Sequence, residues 1–375
     1  MYNLKEEGYG MYTEISKIIE GALSGDKEKV FNYSKILAKN LEVDGDLALS
    51  RKINNILSKK RGGMVSLDSI SSKPVDGESR MDMVDVCYPN IDIDKLILNN
   101  EMNKEIIEFI KSYQNRDKLL KAGIDEPCTM LLYGPPGCGK TTIAQYISME
   151  TGLPLITARL DGMISSLLGS TAKNIRKIFD FASRQECILF LDEFDVIAKI
   201  RDDKNETGEL KRVVNSLIQN IDVFSKDSII IAATNHHELL DPAIWRRFNR
   251  VLSVSKPTEF EIKSLIDIFI NDSKIKFDIT DKKIENIATL LIGLSHSDIN
   301  TIINNSMRSA VINERNEIAL FDILKEAFLF KNHMINNETE FIEFLIKGGM
   351  THRELKSCGF PLRRIQMVSK IVRGE

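Results

Sequence analysis

Gly134-Pro135-Pro136-Gly137-Cys138-Gly139-Lys140-Thr141-Thr142 carries the densest chemical signal in the chain. It fits the pattern GxxxxGK(S/T), in which glycines let backbone N–H groups turn inward around phosphate oxygens. A helix that starts at the end of such a loop points its positive pole at the same anion. Lys140 then neutralises the β- and γ-phosphates, and the Thr141 hydroxyl is offered to Mg²⁺.

Three further groups fit phosphate chemistry. The apolar run CILFL ends in Asp192-Glu193, which places one carboxylate to hold a cation and a second, Glu193, to polarise an attacking water. The run IIIAAT ends at Asn235, a neutral amide able to orient that water without adding charge beside the γ-phosphate. Arg246 and Arg247 follow in DPAIWRRFNR; a guanidinium pair suits a phosphoryl-transfer transition state, and also suits a solvated surface.

These groups need a rigid sheet to hold them. MLLY at 130–133, LPLITA at 153–158, CILFL at 187–191 and IIIAA at 229–233 alternate with longer helical stretches, the signature of βαβ units and a parallel sheet. The runs are apolar on consecutive residues, so helices are expected on both faces. After Pro257 the pattern is helical, opened by a capping box of Thr258 and Glu261. The expected fold class is therefore α/β, with an α-helical lobe and an N-terminal helical bundle.

Composition sets outer bounds. The chain has 375 residues, with 51 Lys+Arg against 54 Asp+Glu for a net charge of −3, so no global field attracts nucleic acid or anionic lipid. No apolar run approaches the roughly 18 residues that span a bilayer, and Glu6 and Glu7 stand where a leader needs an apolar core. A soluble, cytoplasmic protein without membrane association is expected. Its five cysteines are far apart and form no CxxC pair, which predicts reduced thiols and no structural zinc. The expected divisions are a three-helix bundle over 1–60, a Gly/Ser/Asp-rich linker over 61–90, a nucleotide-binding domain over 91–256, a lid over 257–335 and a basic helical tail over 336–375.

With these motifs in order, the chain resembles the AAA+ ATPases of the classical AAA family, across about residues 90 to 310. GPPGCGKT resembles the Walker A motif, ILFLDE the Walker B motif, AATN the first sensor and DPAIWRRF the arginine-finger segment. The uninterrupted Trp245-Arg246-Arg247-Phe248 is most similar to katanin and spastin. The resemblance implies a P-loop NTPase fold, ATP and Mg²⁺ as cofactors, and a ring, usually a hexamer, in which the arginines act on a neighbour's ATP. GLSHSDI at 293–299 resembles the family's GxSGAD segment beside the nucleotide, with His296 and Ser297 in place of Gly-Ala. Ser297 is expected among the nucleotide-binding residues, and His296 is expected to pack at a helix start. Leu167-Leu168-Gly169 stands where the family carries an aromatic-aliphatic-Gly grip on polypeptide, which predicts a weak grip or local packing.

The resemblance implies remodelling or gating of a protein partner. Two other functions stay open. Residues 351–375 hold six Lys/Arg against Glu354 and Glu375 and resemble a helix-turn-helix turning at Gly359, compatible with DNA binding or with partner docking. An assembly switch set by nucleotide state is the third.

Overall fold

The computed structural model describes residues 73–75, 82–89, 96–160, 168–195, 207–224, 227–272 and 276–373, with scattered positions between 15 and 53. Two compact units divide the chain at Ser72 and Lys73. In the first, positions 15, 17–19, 22–23, 30, 33–34, 36–38, 40–41, 50 and 52–53 are helical. Most of the expected three-helix bundle lies outside the described residues, as does much of the expected linker over 61–90.

The second unit is built on a six-stranded sheet of order β1-β3-β4-β5-β2-β6. Its strands are β1 (Val84–Cys87), β2 (Cys128–Tyr133), β3 (Leu155–Arg159), β4 (Ile188–Asp192), β5 (Ile229–Thr234) and β6 (Arg250–Ser253). The inner pairs are parallel, and β1 runs antiparallel to β3 on the edge. The consecutive apolar runs serve both faces. Along β2, Leu131 joins one core while Met130 and Leu132 join the other, and β4 and β5 divide in the same way.

Helices cover each face. α1 (Asn100–Gln114), capped by Asn99, sends Ile106, Phe109 and Ile110 under the sheet. The short α2 (Arg116–Lys121) follows it, and α3 (Lys140–Thr151) adds Ile143 and Ile147 to the same side. α4 (Leu168–Ala182) and α5 (Thr207–Val223) cover the other face with Ile175, Ile178, Leu217 and Ile221. Each such side chain contributes about 1.5–3 kcal/mol by leaving water, so the sheet is anchored from both faces.

Strand β1 falls inside the segment expected as a linker. VDVC is short and flanked by Asp, Gly and Ser, so it carries no periodic signal of its own; it becomes a strand because β3 offers an unpaired edge.

The one-turn helix α6 (Pro242–Trp245) precedes β6, and the lid that follows β6 carries α7 (Glu259–Asp272), α8 (Asp281–Leu291), α9 (His296–Ile312) and α10 (Leu320–Asn332). A short parallel pair, β7 (Lys276–Asp278) with β8 (Glu317–Ala319), joins them. The C-terminal α11 (Glu338–Lys347), α12 (His352–Ser357) and α13 (Leu362–Arg373) do not form a separate tail. Phe341, Ile342, Leu345, Leu355, Ile365 and Val368 share one core with Ile287, Ile302 and Leu324 of the lid. Lys283 of α8 donates to Glu354 of α12 at 2.6 Å, tying the two parts. No helix among the described residues is long and apolar enough to cross a membrane.

Candidate functional site

Parallel β2, β4 and β5 end on the same edge of the sheet, where open α/β sheets place their ligands. Tyr133, Asp192 and Thr234 are their last residues, so Gly134, Glu193 and Asn235 each emerge at this edge. Gly134 donates its N–H to the Thr234 carbonyl at 3.2 Å, which fastens the loop to β5. Only glycine fits there: φ is +145°, and a Cβ would stand 2.1 Å from the Val254 carbonyl oxygen. Gly137 has φ +71°, and a Cβ on it would meet Ser295 Oγ at 2.6 Å. The loop backbone therefore lies directly against the Ser295 and Ser297 side chains of the lid.

Lys140 is the first residue of α3 and is 7% exposed. Its ammonium donates to the Gly134 and Pro135 carbonyls at 2.8 Å each and to Asn235 Oδ1 at 2.7 Å. Burial lowers its pKa, and the negative charges of Asp192 and Asp195 work against that shift. Burial likewise raises the pKa of the Cys138 thiol, opposed by Lys140, so the loop keeps a neutral sulfur.

The Thr141 hydroxyl stands 3.5 Å from Asp192 Oδ2. Asp192 Oδ1 accepts the Glu193 N–H at 2.9 Å. A hydroxyl beside a carboxylate, both at the phosphate loop, fits the oxygen-donor preference of Mg²⁺. Glu193 has φ +51°, a left-handed backbone that costs a non-glycine residue of order 1 kcal/mol and is concentrated at functional sites. That turn brings its side chain to the cavity wall rather than along the strand.

Asp195 is a contributor that the sequence reading missed. It is 2% exposed, accepts from Thr234 Oγ1 at 3.1 Å and from the Asn235 N–H at 3.4 Å, and so orients the residue that holds Lys140. Its sequence signal was the last acid of DEFD, three residues after Asp192 and one turn beyond the strand.

From the lid, Ser295 caps α9 through a capping box with Asp298. The Ser297 N–H donates to the Gly137 carbonyl at 3.0 Å. One cavity of about 680 Å³ is lined by Pro136 through Thr142, Asp192, Glu193, Asn235, His296, Ser297 and Asn300. Its apolar walls are Leu96, Ile97, Leu98, Leu265, Ile268, Phe269 and Met307. A polar, glycine-rich end facing an apolar end has the two-part character of a nucleoside polyphosphate.

Arg246 and Arg247 are not part of this lining. Buried Ile244 and Phe248 anchor their segment, and Phe248 packs edge-on against Phe194. The Arg247 carbonyl accepts from Thr129 Oγ1 at 2.8 Å, four residues before the end of β2, or roughly 13 Å along the strand from the phosphate loop. The Arg247 guanidinium makes a two-pronged bond to Asp222 at 3.0 and 3.2 Å. Arg246 is exposed. The Leu167 position lies outside the described residues; Leu168 and Gly169 begin α4.

Residues 130–256 match the model of the "ATPase family associated with various cellular activities (AAA)". The "Uncharacterized AAA family ATPase y4kL" of Sinorhizobium fredii is 37% identical over 241 residues, which span 64% of this chain and 72% of that protein. The chain belongs to the AAA ATPase family. Proteasome-activating nucleotidase 2 of Haloferax volcanii is 30% identical over 302 residues, 76% of this chain and 72% of that relative. The ATP-dependent zinc metalloprotease FtsH 2 of Bdellovibrio bacteriovorus is 29% identical over 289 residues, and the matched region spans 45% of its length. As an AAA ATPase, this protein binds nucleotide and hydrolyses ATP.

Proposed function

We propose that this AAA ATPase works as a ring of identical subunits that couples Mg-ATP hydrolysis to remodelling or gating of a protein partner. One observation carries the reading. Lys140, Asp192, Glu193 and Asn235 border a single cavity, while Arg246 and Arg247 of the same chain stand away from it. A phosphoryl-transfer site that lacks its arginines within one chain is completed by a neighbour's. The names of the relatives, an activator of the proteasome and an ATP-dependent protease, support a protein as the partner.

The residues take distinct roles. Backbone N–H groups from Gly137 to Thr142 and the Lys140 ammonium hold the phosphates, with Lys140 exchanging its loop carbonyls for phosphate oxygens. Thr141 and Asp192 hold the Mg²⁺, which screens the phosphate charge. Glu193 takes a proton from the attacking water, and Asn235 keeps that water and Lys140 in line. Ser297, bonded to Gly137, passes the state of the loop to the lid.

Trapping the Glu193→Gln variant with ATP and identifying what co-purifies tests the reading. A protein partner whose addition raises the wild-type ATPase rate supports it. A trapped ring that retains nothing, with a rate indifferent to unfolded polypeptide, moves the assembly switch ahead.

DNA binding through the C-terminus is a second reading. It is favoured by the arrangement of α12 and α13 about Gly359 at φ +95°, with Leu355, Ile365 and Val368 on the packed side. Salt-sensitive DNA affinity that disappears on exchanging Arg363 and Lys370 for Gln would select it.

A further inference from the structure

The chain has a single tryptophan, Trp245, and it stands directly before Arg246-Arg247. Three rings meet there. Tyr133 and His237 lie 4.6 Å apart between ring centres, and Trp245 meets Tyr133 edge-on at 5.6 Å and His237 edge-on at 6.2 Å. Each ring comes from a different segment. Tyr133 ends β2 just before the phosphate loop, His237 lies two residues after Asn235, and Trp245 is the last residue of α6.

α6 cannot fix its own direction. It is one turn, started by the Asp241 side chain, which accepts the Ala243 N–H at 2.8 Å, and a single turn has too few internal hydrogen bonds to stand alone. Side chains therefore set its orientation. Ile244 and Phe248 are buried in the sheet core, and Trp245 packs against the border of the same core. Trp245 adds the contact with the two rings beside the phosphate loop. Edge-on aromatic pairs have a preferred geometry that an aliphatic side chain filling the same space lacks. The indole thus fixes the rotation of α6 about its axis, and with it the direction in which the exposed Arg246 leaves the surface.

We infer that Trp245 is a positioning residue for hydrolysis: it aims Arg246 at the nucleotide of the neighbouring subunit. The inference rests on the reading of the active form as a ring whose arginines serve a neighbour. Trp245 does not line the nucleotide cavity of its own chain, so its loss spares nucleotide binding. The same rings could instead brace the phosphate loop of Trp245's own chain, and the two roles have opposite signatures in mixed assemblies.

The test mixes full-length chains in pairs and measures ATPase turnover. Trp245→Ala alone is expected to turn over up to about 100-fold more slowly, the scale of a small misplacement of a reacting group. Its ADP affinity by calorimetry stays at the wild-type value, and Trp245→Phe, which keeps a ring, runs close to the wild-type rate. Mixed with Lys140→Ala, whose arginine segment is intact, Trp245→Ala recovers part of its activity, because its loop then meets a correctly aimed arginine. Mixed with the chain carrying Arg246→Ala and Arg247→Ala it recovers none, since neither chain presents a working arginine. If melting shows that Trp245→Ala does not fold, Trp245→Leu takes its place in both mixtures on the same expectations. The reverse pattern assigns Trp245 to its own loop and overturns the inference. So do undiminished turnover, recovery with both partners and recovery with neither. Failure of Lys140→Ala and the double-arginine chain to restore each other would instead remove the in-trans reading, and the inference with it.

Discussion

The phosphate-loop edge and the arginine segment are held in opposite ways. At the edge the functional residues brace one another: the Lys140 ammonium donates to the Asn235 amide oxygen, the Asn235 backbone N–H to Asp195, and the Glu193 backbone N–H to the Asp192 carboxylate. Arg247 is bonded to Asp222 and to the Ala243 carbonyl and does not line the nucleotide cavity, while Arg246 is exposed. One region is assembled within the chain and the other is presented outward. Such a division fits an enzyme whose binding half is intrinsic and whose transition-state half depends on assembly.

The aromatic contacts join the two regions. Tyr133, directly before the loop, stacks against His237 at 4.6 Å and meets Trp245 at 5.6 Å. Trp245 adjoins Arg246, so the loop and the arginine segment share one packed cluster.

The largest expected effect lies on the intrinsic side. Glu193→Gln keeps the metal carboxylate Asp192 and removes the base, so turnover should fall by up to roughly 10⁴-fold with nucleotide affinity unchanged. Single-turnover hydrolysis beside equilibrium binding measures both, and parental turnover in this variant would cancel the role given to Glu193.

Next come the arginines. Exchanging Arg246 and Arg247 together for Ala should lower turnover by roughly 10³-fold and leave ADP binding by the isolated chain intact. Mixing that variant with Lys140→Ala should recover part of the activity, because some interfaces then pair an intact loop with intact arginines. If mixing restores nothing while the two chains demonstrably co-assemble, the outward region does not serve a neighbour.

Lys140→Ala should weaken nucleotide binding by on the order of 100-fold, through loss of a charge-assisted contact. It also removes the ammonium that joins Gly134, Pro135 and Asn235. Titration with ADP reads the loss, and near-wild-type affinity would mean the loop cradles phosphate through backbone alone.

The smallest effect is expected at Asp222→Asn. The pair with Arg247 is partly exposed, with side chains 33% and 47% accessible, so its contribution to stability after solvent screening is below about 1 kcal/mol. Thermal melting should barely move. A shift of many degrees would show that Asp222 holds the segment in place as a structural brace.

Much of this was legible beforehand because local rules act on short stretches. GPPGCGKTT needs its own glycines to adopt positive φ, and IIIAAT buries on both faces because each of its residues is apolar or small. The strand VDVC and the DEFD aspartate, Asp195, were harder to read. An edge strand takes its order from the partner it pairs with, and Asp195 acquires its role from Asn235, 40 residues later in the chain.

Local chemistry in the sequence determined that this protein has a phosphate loop, a carboxylate pair on a buried strand, and an amide and arginines further along, because residue type and spacing dictate those features. Only the tertiary structure decided that Asn235 reaches Lys140, that the C-terminal helices complete the lid core, and that Arg247 binds Asp222 instead of its own cavity. Those outcomes depend on which apolar faces find each other. Long-range packing pairs elements by shape and burial, and no window along the chain contains both halves of such a contact.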